Sequence, residues 1–350
     1  MSQYGFGILG LGMIADFHAK AINELDNATL ACVCSRSMDK ARKFSDSYGC
    51  VPYDDLDAML NNDDLDVVTI CTPSGAHMQA AIACARAGKH VICEKPLEVT
   101  LDRVDRMIAA HEKAGTMLCG IFPYRFSDVT TAIHRAVQQG RFGKMTFGTA
   151  RVPWWRDQSY YTEGGWKGTK KYDGGGALMN QSIHAIDSLI WLMGDVASVS
   201  AFTDKLAHPT IEVEDTAAAA VRFKNGALGS IVGATSIYPG HSRSLEICGD
   251  SGTAVCVEDN LEHWSFKETS TEDEKTRSRF AAPTVSKGGA SDPSAIGFEG
   301  HRRNFAAALD ALDKGLPAPV DGHEARKSIE VILAIYESSK KRVAIDLPLS

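Results

Sequence analysis

The sequence predicts an α/β protein in two parts, and three observations support this prediction. Up to about Ile121, short apolar runs alternate with amphipathic segments, which is the order of βαβ units in a parallel sheet. Between Val196 and Val257, strand follows strand with hairpin signals, which indicates a mostly antiparallel sheet. The 350 residues also exceed what one hydrophobic core usually contains. We therefore predict one domain over residues 1–121 and a second over residues 122–350.

A glycine turn follows the first strand. Tyr4–Leu9 passes at once into Gly10-Leu-Gly12-Met-Ile-Ala15 and a helix, the order of a dinucleotide-binding fingerprint. Gly10 permits the tight turn, Gly12 lets the backbone approach a pyrophosphate, and the start of the helix offers free N–H groups. The pattern predicts a Rossmann domain that holds its cofactor at Gly10, Gly12, Met13 and Ile14.

The same alternation predicts the other elements of the first domain. Ser37 and Thr100 are candidate helix caps, and Gly88 is a helix stop. The predicted strands are Leu30–Cys34, Asp66–Cys71, Val91–Cys93 and Met117–Gly120, and the predicted helices are Ile14–Glu24, Met38–Ser47, Met78–Ala87 and one from Leu101.

The second domain is predicted to mix strands with a few strong helices. Its polar segment Lys267–Ala295 is expected to be a loop. The predicted strands include Met145–Val152, Ala217–Phe223, Ala227–Val232 and Thr253–Val257, and the predicted helices are Asp128–Gln139, His184–Met193, His301–Lys314 and Gly322–Lys341.

The end of the second strand bears on the choice of cofactor. An NAD site usually places Asp or Glu there to bond the ribose 2′-hydroxyl, and this chain has Ser35 and Arg36 instead. Arg36 can pair with a 2′-phosphate, whereas the alternative is a solvated arginine without an acid partner. The pattern favours NADP, with NAD still possible.

Composition excludes several classes of protein. A net charge of −7 without a Lys/Arg cluster argues against a nucleic-acid surface, and no apolar run is long enough to span a membrane. The nine cysteines show no CxxC spacing, so we expect reduced thiols and no metal site. A strand follows Met1-Ser-Gln directly, so we expect no signal peptide and a cytoplasmic location.

Glu94-Lys95-Pro96 follows the strand Val91–Cys93. Proline cannot continue a central strand, so the backbone must turn there. A lysine at the carboxyl end of a strand in an open α/β sheet lies at the crevice where such sheets bind ligands. The alternative is a solvated Glu-Lys pair.

Three motifs occur together in this order: the Gly10–Ala15 turn, Glu94-Lys95-Pro96, and Asp173-Gly-Gly-Gly176 running on to His184 and Asp187. Together they resemble the Gfo/Idh/MocA family over nearly the whole chain. The resemblance implies a Rossmann domain followed by an α/β domain whose large open sheet often forms the oligomer interface, hence a homodimer or homotetramer. It also implies hydride transfer between a nicotinamide and a carbohydrate or polyol.

The resemblance assigns Lys95 and His184 as the catalytic pair, and both suit proton transfer at an alcohol carbon. The alternative for His184 is a histidine packed at a helix start. Family position also places Tyr124 near cofactor or substrate. The other cofactor contacts that it implies are Thr72, Pro73, His77, Glu94 and Lys95.

Asn180 departs from the family pattern, which often has Asp there. An amide can orient a sugar hydroxyl but cannot take its proton. Asp187 shares the helical face of His184 and can orient its imidazole, although an acid on the helix surface is the favoured interpretation.

The segment from Arg151 to Lys167 is dense in planar and cationic groups. Sugars bind through aromatic faces and hydrogen-bond donors, so we predict a substrate wall; the alternative is aromatic packing at an interface. The predicted substrate contacts are Lys95, Tyr124, Arg151, Trp155, Tyr161, Trp166, Asn180 and His184.

The leading hypothesis is an NAD(P)-dependent dehydrogenase or reductase of a sugar, polyol or sugar derivative. One alternative is a UDP-sugar dehydrogenase of the same family, for which a diphosphate site is available in Arg151, Arg156, Lys167, Lys170 and Lys171. Another is a cofactor-sensing regulator without turnover, against which the presence of both Lys95 and His184 argues.

Overall fold

The computed structural model describes residues 3–163, 165–280 and 297–349. The chain forms two compact units. One comprises Met1–Pro123, Lys171–Gly174 and Gly297–Arg326, and the other comprises Tyr124–Lys170, Gly175–Ile296 and Lys327–Ser350. Two later stretches thus pack with the residues before the predicted boundary at 121.

The first unit contains a six-stranded parallel sheet in the order β3-β2-β1-β4-β5-β6. Because the order reverses between β1 and β4, the carboxyl ends of these two strands flank the crevice where such sheets bind ligands. The strands are β1 (Tyr4–Leu9), β2 (Ala28–Cys34), β3 (Val51–Tyr53), β4 (Val67–Ile70), β5 (His90–Cys93) and β6 (Leu118–Gly120).

Helices cover this sheet and bury its apolar strands. Phe6 of β1 lies against Phe305 of a helix from the distant 297–326 stretch, with ring centroids 5.7 Å apart. Ser37 caps the second helix as predicted, because its hydroxyl accepts a hydrogen bond from the Lys40 N–H. The helices are α1 (Met13–Asn23), α2 (Met38–Tyr48), α3 (Leu56–Leu60), α4 (His77–Arg86), α5 (Leu101–Ala114) and α10 (Glu299–Lys314).

The second unit contains an eight-stranded sheet in the order β13-β12-β11-β7-β10-β9-β8-β14. Every neighbouring pair is antiparallel except β7 and β10, so the predicted mostly antiparallel sheet is confirmed. The strands are β7 (Met145–Pro153), β8 (Val196–Asp204), β9 (Thr216–Phe223), β10 (Leu228–Ala234), β11 (Ser244–Gly249), β12 (Gly252–Val257), β13 (Asn260–Phe266) and β14 (Ile345–Asp346).

One face of this sheet is packed by helix. A Cβ at Gly148 of β7 would lie 2.8 Å from the side chain of Met193, so glycine at this position allows the helix that ends at Met193 to pack against the sheet. The helices with residues in this unit are α6 (Asp128–Gln138), α7 (Gln158–Thr162), α8 (Ile183–Met193), α9 (Thr271–Phe280) and α11 (Gly322–Lys341), and a π-helical segment (Ala177–Ser182) precedes α8.

The predicted fold class is confirmed, and one predicted loop is wrong in part. Thr271–Phe280 forms α9, which is anchored by Asp273 accepting hydrogen bonds from Arg141 and from the indole of Trp264. Arg141 lies 132 residues before Asp273, so this contact leaves no local signal in the sequence. The rest of the predicted loop up to Ile296 lies outside the described residues.

Two predictions about composition can also be compared with the structure. The nine cysteines are all free, as expected of reduced thiols. Within the part of the chain that the structure describes, no helix has the length and apolar character needed to cross a membrane.

Candidate functional site

The Gly10 turn lies at the carboxyl ends of β1, β2 and β4. Gly10 has φ of +93°, and a Cβ there would meet the backbone of Cys71 and Thr72 at 2.9 Å. Its N–H donates to Cys34 O at 2.9 Å, which fixes the turn against β2. Only glycine satisfies both the positive φ and the close contact, so the tight turn predicted from the sequence has a physical cause.

Open space faces the start of α1. Gly12 is the N-cap of α1, and a Cβ built on it would meet nothing within 4 Å. Met13 is 57% exposed and Ile14 is partly buried. The first N–H groups of an α-helix lack intrahelical partners and carry partial positive charge, which favours an anion. These residues therefore fit a dinucleotide pyrophosphate.

Thr72 and Pro73 follow β4 beside this turn. The Thr72 hydroxyl oxygen is buried and has no hydrogen-bond partner among the described residues. A buried hydroxyl normally finds a partner, so this group is suited to a ligand atom at the crevice. Pro73 is the N-cap of a short 3-10 turn that leads into α4.

His77 is a buried link between two loops. Its Nδ1 lies 3.0 Å from Pro96 O, and its Nε2 lies 2.8 Å from Thr72 O. Both ring nitrogens thus face backbone carbonyl oxygens, and the ring itself is almost wholly buried. This geometry gives His77 a part in holding the loops after β4 and β5, and leaves its ring little surface for direct contact with a cofactor.

The edge beyond β2 carries charges of both signs. Arg36 is exposed and has no side-chain hydrogen bond or ion pair with any described residue. Ser35 N donates to Tyr53 O at 3.1 Å, which brings the end of β3 alongside. Asp54 follows β3 at this edge, so a carboxylate lies near the end of β2 although none follows Cys34 in the sequence. Burial raises the pKa of Cys34 to about 11, with a further contribution from Asp55 and Asp54.

Glu94 is buried at the end of β5 among histidines. Its Oε1 lies 3.0 Å from His18 Nε2 and 3.4 Å from His301 Nε2. Its Oε2 accepts the backbone N–H of Lys95 at 3.1 Å. Sequence reasoning missed both histidines, because they belong to α1 and α10 and share no pattern with the Glu94-Lys95-Pro96 motif.

In the second unit, a buried carboxylate fixes the start of the helical segment that carries Asn180 and His184. Glu214 accepts the N–H groups of Gly176 and Leu178 at 2.9 and 2.8 Å, and the Tyr336 hydroxyl at 2.9 Å. A Cβ at Gly176 would lie 1.7 Å from Glu214 O, so the last glycine of the Gly174–Gly176 run is sterically required. Burial raises the pKa of Glu214 to about 7 against these hydrogen bonds, which lower it.

Asn180 belongs to a chain of polar contacts. Gln181 Nε2 donates to Asn180 Oδ1 and to the Tyr160 hydroxyl, each at 2.8 Å. Arg156, only 2% exposed, donates to Gln181 Oε1 at 2.8 Å. Lys167 Nζ lies 3.6 Å from the centre of the Tyr160 ring. The aromatic residue beside Asn180 is therefore Tyr160, the neighbour of the predicted Tyr161.

His184 is partly buried on α8 and packs against an aromatic ring. Its ring centroid lies 5.0 Å from that of Tyr124, and the Arg243 guanidinium stands 3.8 Å above the Tyr124 ring. Burial raises the pKa of Tyr124, while Arg243 opposes the rise. Arg243 in turn pairs with Glu258 at 3.3 Å. The structure thus brings Tyr124 and His184 together. Arg243 joins them from a remote part of the chain, and sequence reasoning missed it.

Asp187 is not the surface acid that the sequence favoured. It is 1% exposed and forms a two-pronged ion pair with Arg125, Nε and Nη2 each donating at 2.7 Å. Such a pair fixes α8 to the segment after Tyr124. Arg125 lies 62 residues before Asp187, so the local sequence could not reveal this partner.

The predicted substrate wall is divided by the structure. Arg151 is exposed on β7 between the buried Ala150 and Val152, and so lies on the sheet face opposite α8. Tyr161 is buried, and its hydroxyl lies 2.8 Å from the Thr235 hydroxyl oxygen. Tyr161 packs within the second unit, edge-on against Tyr160 and His208.

Trp155 and Trp166 occupy intermediate positions. Trp155 is half-buried and packs edge-on against Tyr238, with ring centroids 5.5 Å apart. The backbone of Trp166 forms a turn in which Thr169 donates to its carbonyl oxygen at 2.6 Å. Both residues are partly exposed and so keep surface for a ligand.

Each unit now matches a known family. Residues 4–121 match an oxidoreductase family model with an NAD-binding Rossmann fold, and residues 130–255 match the GFO/IDH/MocA C-terminal domain. A relative with 31% identity, the myo-inositol 2-dehydrogenase of Thermotoga maritima, matches 70% of this chain and 73% of its own. The chain belongs to the Gfo/Idh/MocA oxidoreductase family.

Solved structures of this family extend the likeness to the full length. The WlbA dehydrogenase from Bordetella pertussis, in complex with NADH and UDP-GlcNAcA, is 34% identical with a TM-score of 0.91, covering 100% of this chain and 99% of its own. Its counterpart from Chromobacterium violaceum is 32% identical with a TM-score of 0.89, covering 100% and 97%.

Sugar and polyol dehydrogenases are prominent among the relatives. One of them is the D-glucoside 3-dehydrogenase of Escherichia coli, which is 29% identical over 71% of this chain and 75% of its own. This chain is accordingly an oxidoreductase acting on CH–OH donors with an NAD-binding Rossmann domain, and the alternative of a regulator without turnover falls away.

Proposed function

We propose that this enzyme oxidises a ring hydroxyl of a UDP-linked sugar. One observation carries the proposal: the full-length likeness to a dehydrogenase whose complex contains NADH and UDP-GlcNAcA. The curated relatives that act on free sugars or inositol match about 70% of the chain. Likeness over the whole length includes the second unit, where the family resemblance places the substrate.

Cationic groups in the second unit support a phosphorylated substrate. Arg156 and Lys167 both lie against Tyr160, whose hydroxyl reaches Gln181 beside Asn180. The ammonium of Lys167, which is only partly buried, suits a phosphate. Arg156 is buried and already donates to Gln181, so it supports Gln181 and Tyr160 from the interior. Arg151 lies on the opposite sheet face and is left out of this arrangement.

Lys95 and His184 are proposed as the groups at the reacting oxygen. The nicotinamide supplies the hydride acceptor when bound. The Lys95 ammonium holds the substrate hydroxyl and stabilises negative charge on its oxygen, and the imidazole of His184 takes the hydroxyl proton. In the reverse direction His184 returns the proton. Asn180 orients a neighbouring hydroxyl through its amide, because it has no proton to exchange.

The cofactor site is proposed along the edge from Gly10 to Thr72, with Met13, Ile14, Ser35 and Pro73 beside it. Arg36 gives NADP the preference, since its exposed guanidinium is suited to a 2′-phosphate. Asp54 favours NAD at the same edge, so the preference is a balance between two side chains. Glu94 supports the site by accepting the Lys95 N–H, and His77 supports it by holding together the loops after β4 and β5.

The division of labour follows the predicted domains. Residues 1–121 bind the cofactor, and residues 122–350 bind the substrate and form the contacts of a homodimer or homotetramer in the cytoplasm. Tyr124, Trp155 and Trp166 remain candidate substrate contacts.

A free polyol is the second candidate substrate. The 31% identity with a myo-inositol 2-dehydrogenase favours it. The two candidates differ in the diphosphate, which a free polyol lacks.

The deciding experiment follows nicotinamide absorbance with NAD⁺ and NADP⁺ against UDP-GlcNAcA, UDP-GlcNAc, myo-inositol and free sugars. We expect turnover with a UDP-linked sugar, none with the same sugar lacking UDP, and competitive inhibition by UDP alone. Faster turnover of myo-inositol than of every UDP-sugar, with no inhibition by UDP, would establish the second candidate instead.

A further inference from the structure

A buried cluster in the first unit links three distant parts of the chain. His18 of α1, Glu94 after β5 and His301 of α10 bring their ligand-type atoms within 4.8 Å of one another. His18 is fully buried, and the rings of His18 and His301 lie 5.2 Å apart. Burying an acid with two histidines costs free energy unless their hydrogen bonds compensate for the lost hydration.

Charge and hydrogen bonding in the cluster are mutually consistent. Burial raises the pKa of Glu94, but the hydrogen bonds from His18 and His301 outweigh it and hold that pKa well below its usual range. Burial lowers the pKa of His18. A carboxylate only accepts hydrogen bonds, so each histidine must place a proton on the Nε2 that faces it. The Thr69 hydroxyl, 2.8 Å from His18 Nδ1, can donate to that nitrogen and select this tautomer.

The second carboxylate oxygen of Glu94 connects the cluster to the active-site lysine. Glu94 Oε2 accepts the Lys95 N–H at 3.1 Å. His77 holds the following residues from the other side, through Pro96 O and Leu97 O at 3.0 and 3.2 Å. The loop that carries Lys95 is therefore fixed at both ends by buried groups.

We propose that His18 and His301 are positioning residues for Lys95, acting through the Glu94 carboxylate that accepts the Lys95 N–H. The proposal rests on the proposed role of Lys95 at the reacting oxygen. Two hydrogen bonds on one carboxylate oxygen fix the direction of the other, and this direction sets where the Lys95 backbone stands. A displacement of about 1 Å at a catalytic group can cost about 10²-fold in rate. Helix α10, remote in sequence, thereby contributes to the lysine geometry.

The test compares two replacements of His301 with a control. His301→Phe keeps most of the ring volume and removes the donor, whereas His301→Gln keeps an N–H donor and loses the ring. His111→Gln is the control, because His111 is equally buried in the same unit but bonds Thr116 instead of Glu94. Thr69→Val, nearly isosteric, serves if His301→Phe fails to fold. Each variant is assayed for kcat, KM and melting temperature, and the 94–99 segment is followed by amide hydrogen exchange.

We expect His301→Phe to lower kcat by about 10-fold or more with little change in KM, and to speed exchange in the 94–99 segment. His301→Gln should recover part of kcat, and His111→Gln should keep it even at an equal loss of melting temperature. Equal activity of the Phe and Gln variants would overturn the proposal, because packing alone would then explain the histidine. A matching loss in His111→Gln would overturn it too.

Three further outcomes distinguish this proposal from the proposed function and from a metal site. Full activity in Lys95→Met would remove the proposed role of Lys95, while the exchange result would still decide whether the cluster holds the loop. One equivalent of a transition metal in the purified chain, absent from His301→Phe, would replace the hydrogen-bonded cluster by a metal site. A metal-free protein with an inactive Lys95→Met and an unimpaired His301→Phe would overturn the positioning role alone.

Discussion

Single residues set the chemistry of each unit. The open space over Gly12 and the buried hydroxyl of Thr72 define the crevice at the parallel sheet. In the second unit, Asn180 and His184 stand on one helical segment with different neighbours: Gln181 and Tyr160 for the amide, Tyr124 for the imidazole. Because these surroundings differ, substitutions at the two positions should be separable by their kinetic effects.

Lys95→Met tests the lysine. The change keeps the chain length and removes the ammonium, so kcat should fall by about 10²–10⁴, the usual size for a group that serves proton transfer. Cofactor affinity, measured by fluorescence titration, should stay near that of the wild type. Lys113→Met, at an exposed position of α5, is the matched control. Near wild-type turnover in Lys95→Met would contradict the proposed role of Lys95 at the reacting oxygen.

Asn180→Asp tests whether this position is coupled to His184. The two side chains are nearly isosteric, and Gln181 can still donate to the oxygen. A carboxylate favours the protonated form of a nearby imidazole and so raises its pKa. The pH at which the oxidation rate rises should therefore be higher in Asn180→Asp. Asn180→Ala should raise KM more than it lowers kcat. Superimposable pH profiles for wild type and Asn180→Asp would mean that the two groups are not coupled.

At the scale of elements, buried acids attach the helical segments to remote parts of the chain. Glu214 accepts N–H groups at the start of the π-helical segment, and Asp187 fixes α8 to Arg125. A π-helical turn is uncommon and is often found at functional sites. Because its amides are held by a side chain from a separate part of the chain, the geometry of Asn180 depends on one buried carboxylate.

Glu214→Gln should change how stability depends on pH. The pKa of Glu214 is raised from 4.5 to about 7, so between these values the native state holds a proton that the unfolded chain has released. Stability should therefore fall as pH rises through this window and level off above it, by up to about 3 kcal/mol. Urea unfolding at a series of pH values should show this fall in the wild type and not in Glu214→Gln. Glu262→Gln, at an exposed position, should keep it; parallel curves for all three proteins would contradict the assignment.

At the scale of the whole molecule, cofactor binding should stabilise the folded chain by mass action. A ligand that binds only the native state adds about 2.7 kcal/mol at 100 times its Kd. The melting temperature at equal concentrations of two cofactors thus ranks their affinities. This measurement needs no substrate, which suits an enzyme whose substrate is still a proposal.

We expect NADPH to raise the melting temperature more than NADH. Arg36→Ala should reverse the order and raise the KM for NADPH by about 10-fold, since a charge-assisted phosphate contact is lost. Asp54→Ala should act in the opposite sense and weaken NADH. A wild-type enzyme that is stabilised more by NADH would refute the NADPH preference. Asp54 would then be the candidate for the hydrogen bond to the ribose 2′-hydroxyl.

The sequence by itself determined the alternation of strands and helices and the Gly10 turn. These depend on local periodicity, on backbone conformations that only glycine adopts, and on short motifs. It also predicted the bounds of Gly322–Lys341 and the Ser37 cap, because helix signals are local.

Only the tertiary structure decided which side chains share an environment. Pairing of β2 with β3 places Asp54 near Ser35. Asp187 is buried and pairs with Arg125. Packing of α10 places His301 beside Glu94. Because side chains alternate between the two faces along β7, Arg151 lies on the sheet face opposite α8. Each of these depends on contacts between residues far apart in the chain, where hydrogen bonding and exclusion of water act across space and leave no periodic trace in the sequence.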